Sequence, residues 1–251
     1  RFLDRRRLKA ACEPKDMMRY LLYDMATTLA APAGAIWLAA RSRHRPLLRR
    51  FSPLATPRGA RPLWLQACSV GELMAIKPLL EALRARWPDM PFLLTTSTVS
   101  GRRWADSANL PASLAYFPFD HAAVVSRFLR LAQPRALVLL ETELWPNVVR
   151  LSRRAQVPVV LLSARLSDKH LARYHRFQSV LRPVFAGLTA VGAQNEEYAR
   201  RFAAMGVAPS ALRVTGNIKF DGVRTEGRDE LRHRVLAENG YPPDARVLRV
   251  G

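Results

Sequence analysis

The sequence lacks the residue patterns that mark several common classes of protein. Its two cysteines, Cys12 and Cys68, are too few for a disulfide framework, and a reducing compartment fits them. Five scattered histidines show no metal-ligand spacing. No apolar run is followed by a glycine-rich dinucleotide fingerprint or by a Gly-Lys-Ser/Thr phosphate loop. We therefore expect no metal site and no cofactor.

Acidic residues are scarce. Twenty Asp and Glu stand against forty Lys and Arg, which gives a formal net charge of +20. Such a surplus favours partners rich in phosphate, either an anionic membrane surface or nucleic acid, although a high-GC genome, in which Arg replaces Lys, explains part of it. The basic residues are spread along the chain without an aromatic-basic motif, so no nucleic acid is expected.

A long hydrophobic run is also missing. Residues 25–40 carry no charge, but sixteen residues fall short of the ~20 that a spanning helix needs. Pro32 and Gly34 are expected to interrupt this stretch, and arginines flank it. The pattern predicts an anchor that lies on the bilayer or barely spans it, with a soluble hydrophobic helix as the alternative. Residues 46–62, rich in proline, are typical of a linker.

From residue 63 onward, short apolar runs alternate with helical patterns. This alternation predicts an α/β fold with a doubly wound parallel sheet. The predicted strands are residues 63–68, 92–96, 114–117, 136–140, 159–162, 188–192 and 212–215. The predicted helices are residues 72–86, 101–107, 121–131, 145–155, 169–185 and 196–205.

Polar side chains follow the predicted strands, where parallel strands present their carboxyl ends at one edge. Glu72 follows the first strand, and it either caps the next helix or faces a site. Glu141 and Glu143 follow a buried strand directly; this costly placement predicts a polar site or an arginine partner, for which Arg165 is the candidate. Asp120 and Ser167 are interpreted as helix N-caps.

Several of these stretches together resemble a known family. They occur in the same order as motifs of the 3-deoxy-D-manno-octulosonic acid (Kdo) transferases of lipopolysaccharide synthesis, over about residues 63–221. The similar stretches are Ala67-Cys68-Ser69-Val70-Gly71-Glu72, residues 95–101, residues 116–120, Glu141-Thr142-Glu143-Leu144-Trp145-Pro146-Asn147, residues 164–167, residues 193–195 and Val214-Thr215-Gly216-Asn217-Ile218-Lys219-Phe220-Asp221.

The resemblance implies a GT-B-type glycosyltransferase with two Rossmann-like domains, of which the second is truncated here. Residues 1–50 would form a basic segment and membrane-associated anchor helix, and 51–62 a linker. Residues 63–222 would be the acceptor-binding domain. Residues 223–251 would hold a linker helix and the start of the donor-binding domain, so this fragment alone should be inactive.

By the same resemblance, the enzyme transfers Kdo from CMP-Kdo to a lipid A precursor with inversion, on the cytoplasmic face of the inner membrane. Its partners would be these two substrates and the anionic membrane surface. Glu72 would be the general base. The expected acceptor-binding or site-shaping residues are Ser69, Gly71, Thr96, Ser97, Glu141, Glu143, Arg165, Asn217 and Lys219. Arg102, Arg103, Arg165 and Lys219 are candidates to hold the acceptor's phosphates.

Two alternatives remain open from the sequence. One is a basic α/β binding module for anionic lipid or nucleic acid, without catalysis. The other is a GT-B glycosyltransferase that uses another activated sugar.

Overall fold

Seven parallel strands form the centre of the molecule. The computed structural model describes residues 14–52, 61–168 and 176–220, with isolated positions at Leu171, Tyr174, Ala237, Glu238, Gly240 and Pro242. The strands are β1 (Leu63–Gln66), β2 (Phe92–Thr96), β3 (Ser113–Tyr116), β4 (Ala136–Leu140), β5 (Val159–Ala164), β6 (Ala190–Ala193) and β7 (Leu212–Val214). Their order in the sheet is β3-β2-β1-β4-β5-β6-β7, and every pairing is parallel.

Helices connect the strands, because a parallel pair needs a crossover. They are α1 (Pro14–Ala40), α2 (Val70–Arg86), α3 (Val99–Ser107), α4 (Ala122–Ala132), α5 (Pro146–Arg154), α6 (Gln178–Ala186) and α7 (Glu196–Ala204). The chain moves outward in one direction from β1 to β3 and in the other from β4 to β7. This reversal leaves a crevice at the carboxyl ends of β1 and β4, where ligands bind in open α/β sheets.

The predicted doubly wound sheet is confirmed. All seven predicted strands are present, and β2 and β4 have the predicted bounds. The predicted helices 72–86, 101–107, 121–131, 145–155 and 196–205 are found within two residues at each end. Of the predicted helix 169–185, the second half is α6, while Lys169 and His170 lie outside the described residues.

Two apolar layers sandwich the sheet, as the two-residue period of a strand requires. Trp64 and Leu137 pack on one side with α4, α5, α6 and α7. Leu65 and Val138 pack on the other side with α2 and α3. Both faces of the central strands are therefore buried, which explains their almost continuous apolar sequence.

The chain before the sheet forms a long helix and then a 3-10 helix, Ser42–Arg50. We call α1 and this 3-10 helix the amino-terminal segment. The predicted interruption at Pro32 is wrong, because α1 continues through it. Contacts hold the helix on both sides of the proline: Tyr20 is buried in the core, and Arg45 Nε donates to the carbonyl of Ala39 at 2.9 Å.

The linker predicted to begin at Pro46 is also corrected in part. Residues 46–50 belong to the 3-10 helix. Phe51, directly after that helix, stacks on Phe119 with ring centroids 4.7 Å apart. This stack and the hydrogen bonds of Arg50 to the edge of the sheet give a defined structure to a stretch that resembles a linker in sequence. Residues 53–60 of the predicted linker lie outside the described residues.

Helix α1 has two different faces. Tyr20, Tyr23 and Asp24 point to the body of the molecule, and Tyr20 is only 4% exposed. Large apolar side chains on the rest of the helix are exposed, and Leu29 reaches 77%: Met18, Leu21, Leu22, Met25, Leu29, Ile36 and Trp37. Within the described part of the chain, no helix combines the length and the apolar character that crossing a bilayer would require.

Candidate functional site

The turn after the central strand β1 places a carboxylate at the crevice. Ser69 is the N-cap of α2, and its Oγ accepts from the backbone N–H of Glu72 at 3.3 Å. The same hydroxyl donates to Oε1 of Glu72 at 3.0 Å, and the N–H of Cys68 donates to Oε2 at 2.8 Å. This is close to a capping box, so Glu72 caps α2. The carboxylate remains half-buried at the crevice.

Hydroxyl groups after β2 hold the turn in place. Thr96 and Thr98 both donate to the carbonyl of Cys68, at 2.8 and 3.1 Å. Ser97 Oγ accepts from the buried side-chain amide of Gln66 at 3.0 Å. The predicted site residues Thr96 and Ser97 are therefore buried supports of the Ser69–Glu72 turn, and their hydroxyls bond to the protein.

Gly71 and Gly101 have opposite surroundings. Gly71 is exposed, and a Cβ there would meet only Ser69 Oγ, at 4.0 Å. A Cβ on Gly101 would lie 2.5 Å from Thr96 Oγ1 and 2.8 Å from Thr98 Oγ1. Glycine at 101 is thus needed for the two threonines to reach Cys68.

Two more carboxylates follow β4 and face Glu72. Glu141 has a left-handed backbone, φ 56°, and the Trp145 indole N–H donates to Oε2 of Glu143 at 3.0 Å. The Glu141 charge raises the pKa of Glu72, and the Glu143 charge raises the pKa of the Cys68 thiol. We call Glu72, Glu141 and Glu143 together the acidic cleft.

The segment after β7 folds back over this cleft. Asn217 Oδ1 accepts from the Ser163 hydroxyl at 3.2 Å and from the backbone N–H of Lys219 at 3.0 Å. Lys219 Nζ then pairs with Glu141 Oε1 at 2.5 Å. The structure thus brings the predicted residues Asn217 and Lys219 to the acidic pair.

The predicted Arg165 partner of this pair is wrong. The Arg165 side chain is exposed, and its link to Glu141 is a backbone hydrogen bond of 3.5 Å. The charge partner of Glu141 is Lys219. Lys219 is 78 positions from Glu141 in the sequence and Arg165 only 24, so proximity in sequence to the acidic pair selected the wrong cation.

Burial raises the pKa of Glu72 above its ordinary value. The nearby Glu141 charge raises it further, while hydrogen bonds from Cys68 and Ser69 and the charge of Lys219 oppose the shift. Burial also raises the pKa of Glu143, with the charge of Glu72 acting in the same direction. A carboxylate with a raised pKa is a stronger base, which suits proton abstraction near neutral pH.

Asp120 has a different role from the one predicted. The N-cap of α4 is His121, and the carboxylate of Asp120 instead accepts from the backbone N–H groups of Asn147 and Val148, at 3.1 and 2.9 Å. Asp120 therefore caps α5, the helix that follows the acidic pair. Trp145, the N-cap residue of α5, makes no side-chain cap hydrogen bond, and Asp120 supplies the acceptor that it does not provide. Ser167 is at the start of a helical turn, since its carbonyl accepts from the N–H of Leu171.

Arg50 is a site residue that the sequence patterns did not indicate. It ends the 3-10 helix, its Nε donates to the carbonyl of Phe117 at 3.1 Å, and its guanidinium lies 5.7 Å from the Trp145 ring centroid. Burial lowers its pKa, and the charges of Cys68, Glu143 and Asp120 oppose that shift. Nothing in the local sequence separates Arg50 from its neighbour Arg49, so only the tertiary structure shows the placement.

Arg102 and Arg103, which the sequence also suggested as phosphate-binding residues, lie on α3. Arg102 pairs with Asp106 at 2.9 Å, while Arg103 is exposed. Among the residues that the structure describes, no three His, Cys, Asp or Glu side chains are arranged to hold a metal ion.

The sheet order and the carboxylate at the end of its central strand define the class of protein. It is an α/β domain with the Rossmann-like fold of a GT-B amino-terminal half. A solved structure with this fold is the UDP-GlcNAc 2-epimerase from Neisseria meningitidis bound to UDP-GlcNAc, with a TM-score of 0.50. The match covers 70% of this chain and 50% of that one at 11% sequence identity, so it supports the fold alone.

The chain belongs to the 3-deoxy-D-manno-octulosonic-acid transferase (kdotransferase) family, whose amino-terminal domain matches residues 39–222. The 3-deoxy-D-manno-octulosonic acid transferase of Bordetella pertussis is 33% identical over 238 residues, covering 88% of this chain and 54% of the relative. That of Haemophilus influenzae is 30% identical, covering 69% of this chain and 40% of the relative. The chain thus spans about half the length of these curated relatives.

Proposed function

We propose that the whole protein transfers Kdo from CMP-Kdo to a hydroxyl of a lipid A precursor, with Glu72 as the general base. Family membership supports the reaction class. The observation that carries the base assignment is the Glu72 carboxylate, oriented by Ser69 and Cys68 at the carboxyl end of the central strand. A fixed carboxylate of raised pKa in the crevice is what a poor hydroxyl nucleophile requires.

The chemistry balances with this single base. The acceptor hydroxyl gives its proton to Glu72 as its oxygen forms a bond to the anomeric carbon of Kdo. The bond from that carbon to the phosphate oxygen of CMP breaks, and the electron pair leaves with CMP. One displacement inverts the anomeric centre through an oxocarbenium-like transition state. We assign CMP binding to the part of the relatives that has no counterpart in this chain.

Two exposed arginines of the domain suit the acceptor's phosphates. Arg102 and Lys219 already pair with Asp106 and Glu141, which leaves Arg103 and Arg165, both exposed, as the two of the four expected cations without a side-chain ion pair in the described part of the chain. Arginine is suited to this task because its planar fork binds phosphate oxygens in pairs. We infer that Arg103 and Arg165 hold phosphates, while Lys219 holds Glu141 in place.

We also propose that α1 lies on the membrane surface. Its exposed apolar side chains, among them Leu22, Leu29 and Ile36, face away from the body, and the basic residues of the 3-10 helix follow. An apolar face beside basic residues suits an interface with anionic lipid. The inner membrane's cytoplasmic face would place the enzyme beside its lipid acceptor.

A donor competition tests the reaction. The full-length enzyme is supplied with CMP-Kdo or with other activated sugars and a lipid A precursor, and products are identified by mass spectrometry. A product heavier by Kdo, formed with CMP-Kdo alone, is expected. Equal transfer from a nucleoside-diphosphate sugar would instead support the hypothesis of a GT-B glycosyltransferase that uses another activated sugar. Residues 1–251 by themselves should transfer nothing, and activity from them would contradict the split between two domains.

A further inference from the structure

The amino-terminal segment does more than expose an apolar face, because it touches the supports of the acidic cleft at two separate points. Tyr23 of α1 donates from its hydroxyl to Oδ2 of Asp120 at 2.8 Å. Asp24 pairs with Arg150 at 2.8 Å, and Arg150 also donates to Oδ1 of Asn147 at 2.6 Å. Both contacts converge on the first turn of α5, directly after the acidic pair.

Asp120 connects the Tyr23 contact to the start of α5. Its side chain is 3% exposed and joins Tyr23 to the N–H groups of Asn147 and Val148. The side-chain amide of Asn147 returns a hydrogen bond to the carbonyl of Asp120 at 3.0 Å. A shift of α1 at Tyr23 would therefore be transmitted to the start of α5 by buried hydrogen bonds.

Arg50, at the end of the 3-10 helix, contacts the supports of the cleft at the second point. Its guanidinium lies over Trp145, and the Trp145 indole N–H donates to Glu143 at 3.0 Å. The 3-10 helix thereby places a cation behind the indole that orients one carboxylate of the cleft.

One nitrogen atom of Arg50 is buried at a cost in free energy. Nη2 is buried, and it has no hydrogen-bond partner within the described structure. An unmet buried donor is unfavourable, and an apolar side chain would fill the same space without that cost. The cation is therefore better explained by the negative groups it faces than by packing.

We propose that the amino-terminal segment is part of the reaction site, with Arg50 as a positioning residue for Glu143 and Tyr23 as a positioning residue for the start of α5. This rests on the proposed function of the cleft. In this view, Arg50 keeps Glu143 ionised and oriented. Because the repulsion between Glu143 and Glu72 is mutual, the charge of Glu143 in turn keeps Glu72 basic. The segment would then serve catalysis even when no membrane is present.

The charges around Glu143 determine whether its pKa should rise or fall when Arg50 is replaced. Glu72 of α2 and Glu141 of the same loop disfavour its ionised form, while Arg50 and the Trp145 hydrogen bond favour it. Glu143 also acts on the Cys68 thiol, and Lys219 acts on Glu72. Removing the Arg50 charge should raise the pKa of Glu143, because the carboxylate loses its cation.

The activity test uses the full-length enzyme and a detergent-dispersed lipid A precursor, so that membrane binding is not needed. In Arg50→Gln, the acidic limb of the kcat/KM profile should move up by on the order of one pH unit, a modest shift for loss of a neighbouring opposite charge. Arg50→Lys should restore most of the wild-type profile. Trp87→Ser, an exposed position at the end of α2, should leave the profile unchanged.

Two measurements do not depend on turnover. The Glu143 carboxyl pKa, followed by NMR, should rise in Arg50→Gln and stay near wild type in Arg50→Lys. Amide hydrogen exchange at Asn147 and Val148 should speed up about tenfold in Tyr23→Phe, as expected for one lost hydrogen bond to a carboxylate network, and stay unchanged in Leu29→Ser.

These measurements separate the positioning roles from the reaction. An unshifted Glu143 pKa in Arg50→Gln, or unchanged exchange in Tyr23→Phe, would overturn the corresponding role. Shifts in both, together with no Kdo transfer by the wild type, would retain the positioning roles and reject the proposed reaction.

Discussion

Tyr23 and Asp120 are 97 positions apart in the sequence, and the tyrosine hydroxyl lies 2.8 Å from the buried carboxylate. The contact also affects the tyrosine, because burial and the Asp120 charge raise the pKa of the Tyr23 hydroxyl far above its usual value. The phenol thus stays a hydrogen-bond donor at every physiological pH.

Asp120 should be essential for stability. Asp120→Ala removes the cap of α5 and leaves the N–H groups of Asn147 and Val148 buried without an acceptor. We expect the free energy of unfolding to fall by about 3–5 kcal/mol, from the lost cap and the unmet donors. Urea denaturation measures it. Asp106→Ala, which breaks an exposed pair with Arg102, is the matched control and should cost at most about 1 kcal/mol. Equal losses in the two variants would contradict the assigned role.

Glu72→Gln should nearly abolish transfer by the full-length enzyme while the fold stays intact. The amide cannot take the proton of the acceptor hydroxyl, and a general base contributes about 10²–10⁴-fold to a rate. Product formation is followed by mass spectrometry, and circular dichroism checks the fold. Turnover near that of the wild type would remove Glu72 from the role of base.

The same substitution predicts a pH-dependent change in stability. Burial raises the pKa of Glu72, so the folded state disfavours its ionised form, and the wild-type chain carries that cost above the folded-state pKa. Relative to Glu72→Gln, wild type should therefore gain stability as the pH falls through the folded pKa, and the difference should level off below the unfolded value. Urea melts at several pH values measure it. A difference that grows in the opposite direction would show that the hydrogen bonds from Cys68 and Ser69 dominate.

The pH profile of the wild-type enzyme should reflect the same shift. The acidic limb of kcat/KM should lie above 4.5, the ordinary value for glutamate, because burial raises the pKa of both Glu72 and Glu143. The limb belongs to the interacting carboxylates as a group rather than to one residue. A limb at or below 4.5 would contradict a base in this environment.

The exposed face of α1 predicts membrane binding. A Leu29→Asp, Ile36→Asp double variant should bind vesicles of anionic phospholipid at least tenfold more weakly, since each large apolar side chain contributes about 1.5–3 kcal/mol when buried. Vesicle sedimentation measures it, with Trp87→Ser, an exposed aromatic at the end of α2, as the control. Point variants suit this test better than deletion of residues 1–50, which would also remove Tyr23 and Arg50. Undiminished sedimentation would assign binding to the basic surface.

Two glycines give a matched pair for packing at the cleft. Gly101→Ala should destabilise the fold by about 1–3 kcal/mol, because its Cβ would collide with the hydroxyls of Thr96 and Thr98. Gly71→Ala, with open space around it, should be neutral or stabilise α2 by up to about 1 kcal/mol. Thermal melts compare the two, and equal melting temperatures would show that the threonines can move.

The elements of the fold were predictable because each is encoded locally. Apolar runs such as residues 136–140 have strand length, and the Ser69–Glu72 turn carries its own capping signal. The partners of distant residues were not predictable. Asp120 caps α5 rather than its own helix, and Glu141 pairs with Lys219 rather than with Arg165. In both cases a three-dimensional contact outweighed the nearest candidate in sequence.

The order of the strands has a consequence for how the protein is made. The central strand β1 pairs with β2 on one side and with β4 on the other. Leu63 therefore has its partner on the β4 side only after Ala136 has been synthesised. The partners of α1, Asp120 and Arg150, emerge from the ribosome later still, on the order of ten seconds after Tyr23 and Asp24 at typical rates of synthesis. Both faces of α1 are uncovered during that interval. We therefore expect the nascent chain to expose the proposed membrane-binding face of α1 first and to complete its sheet afterwards.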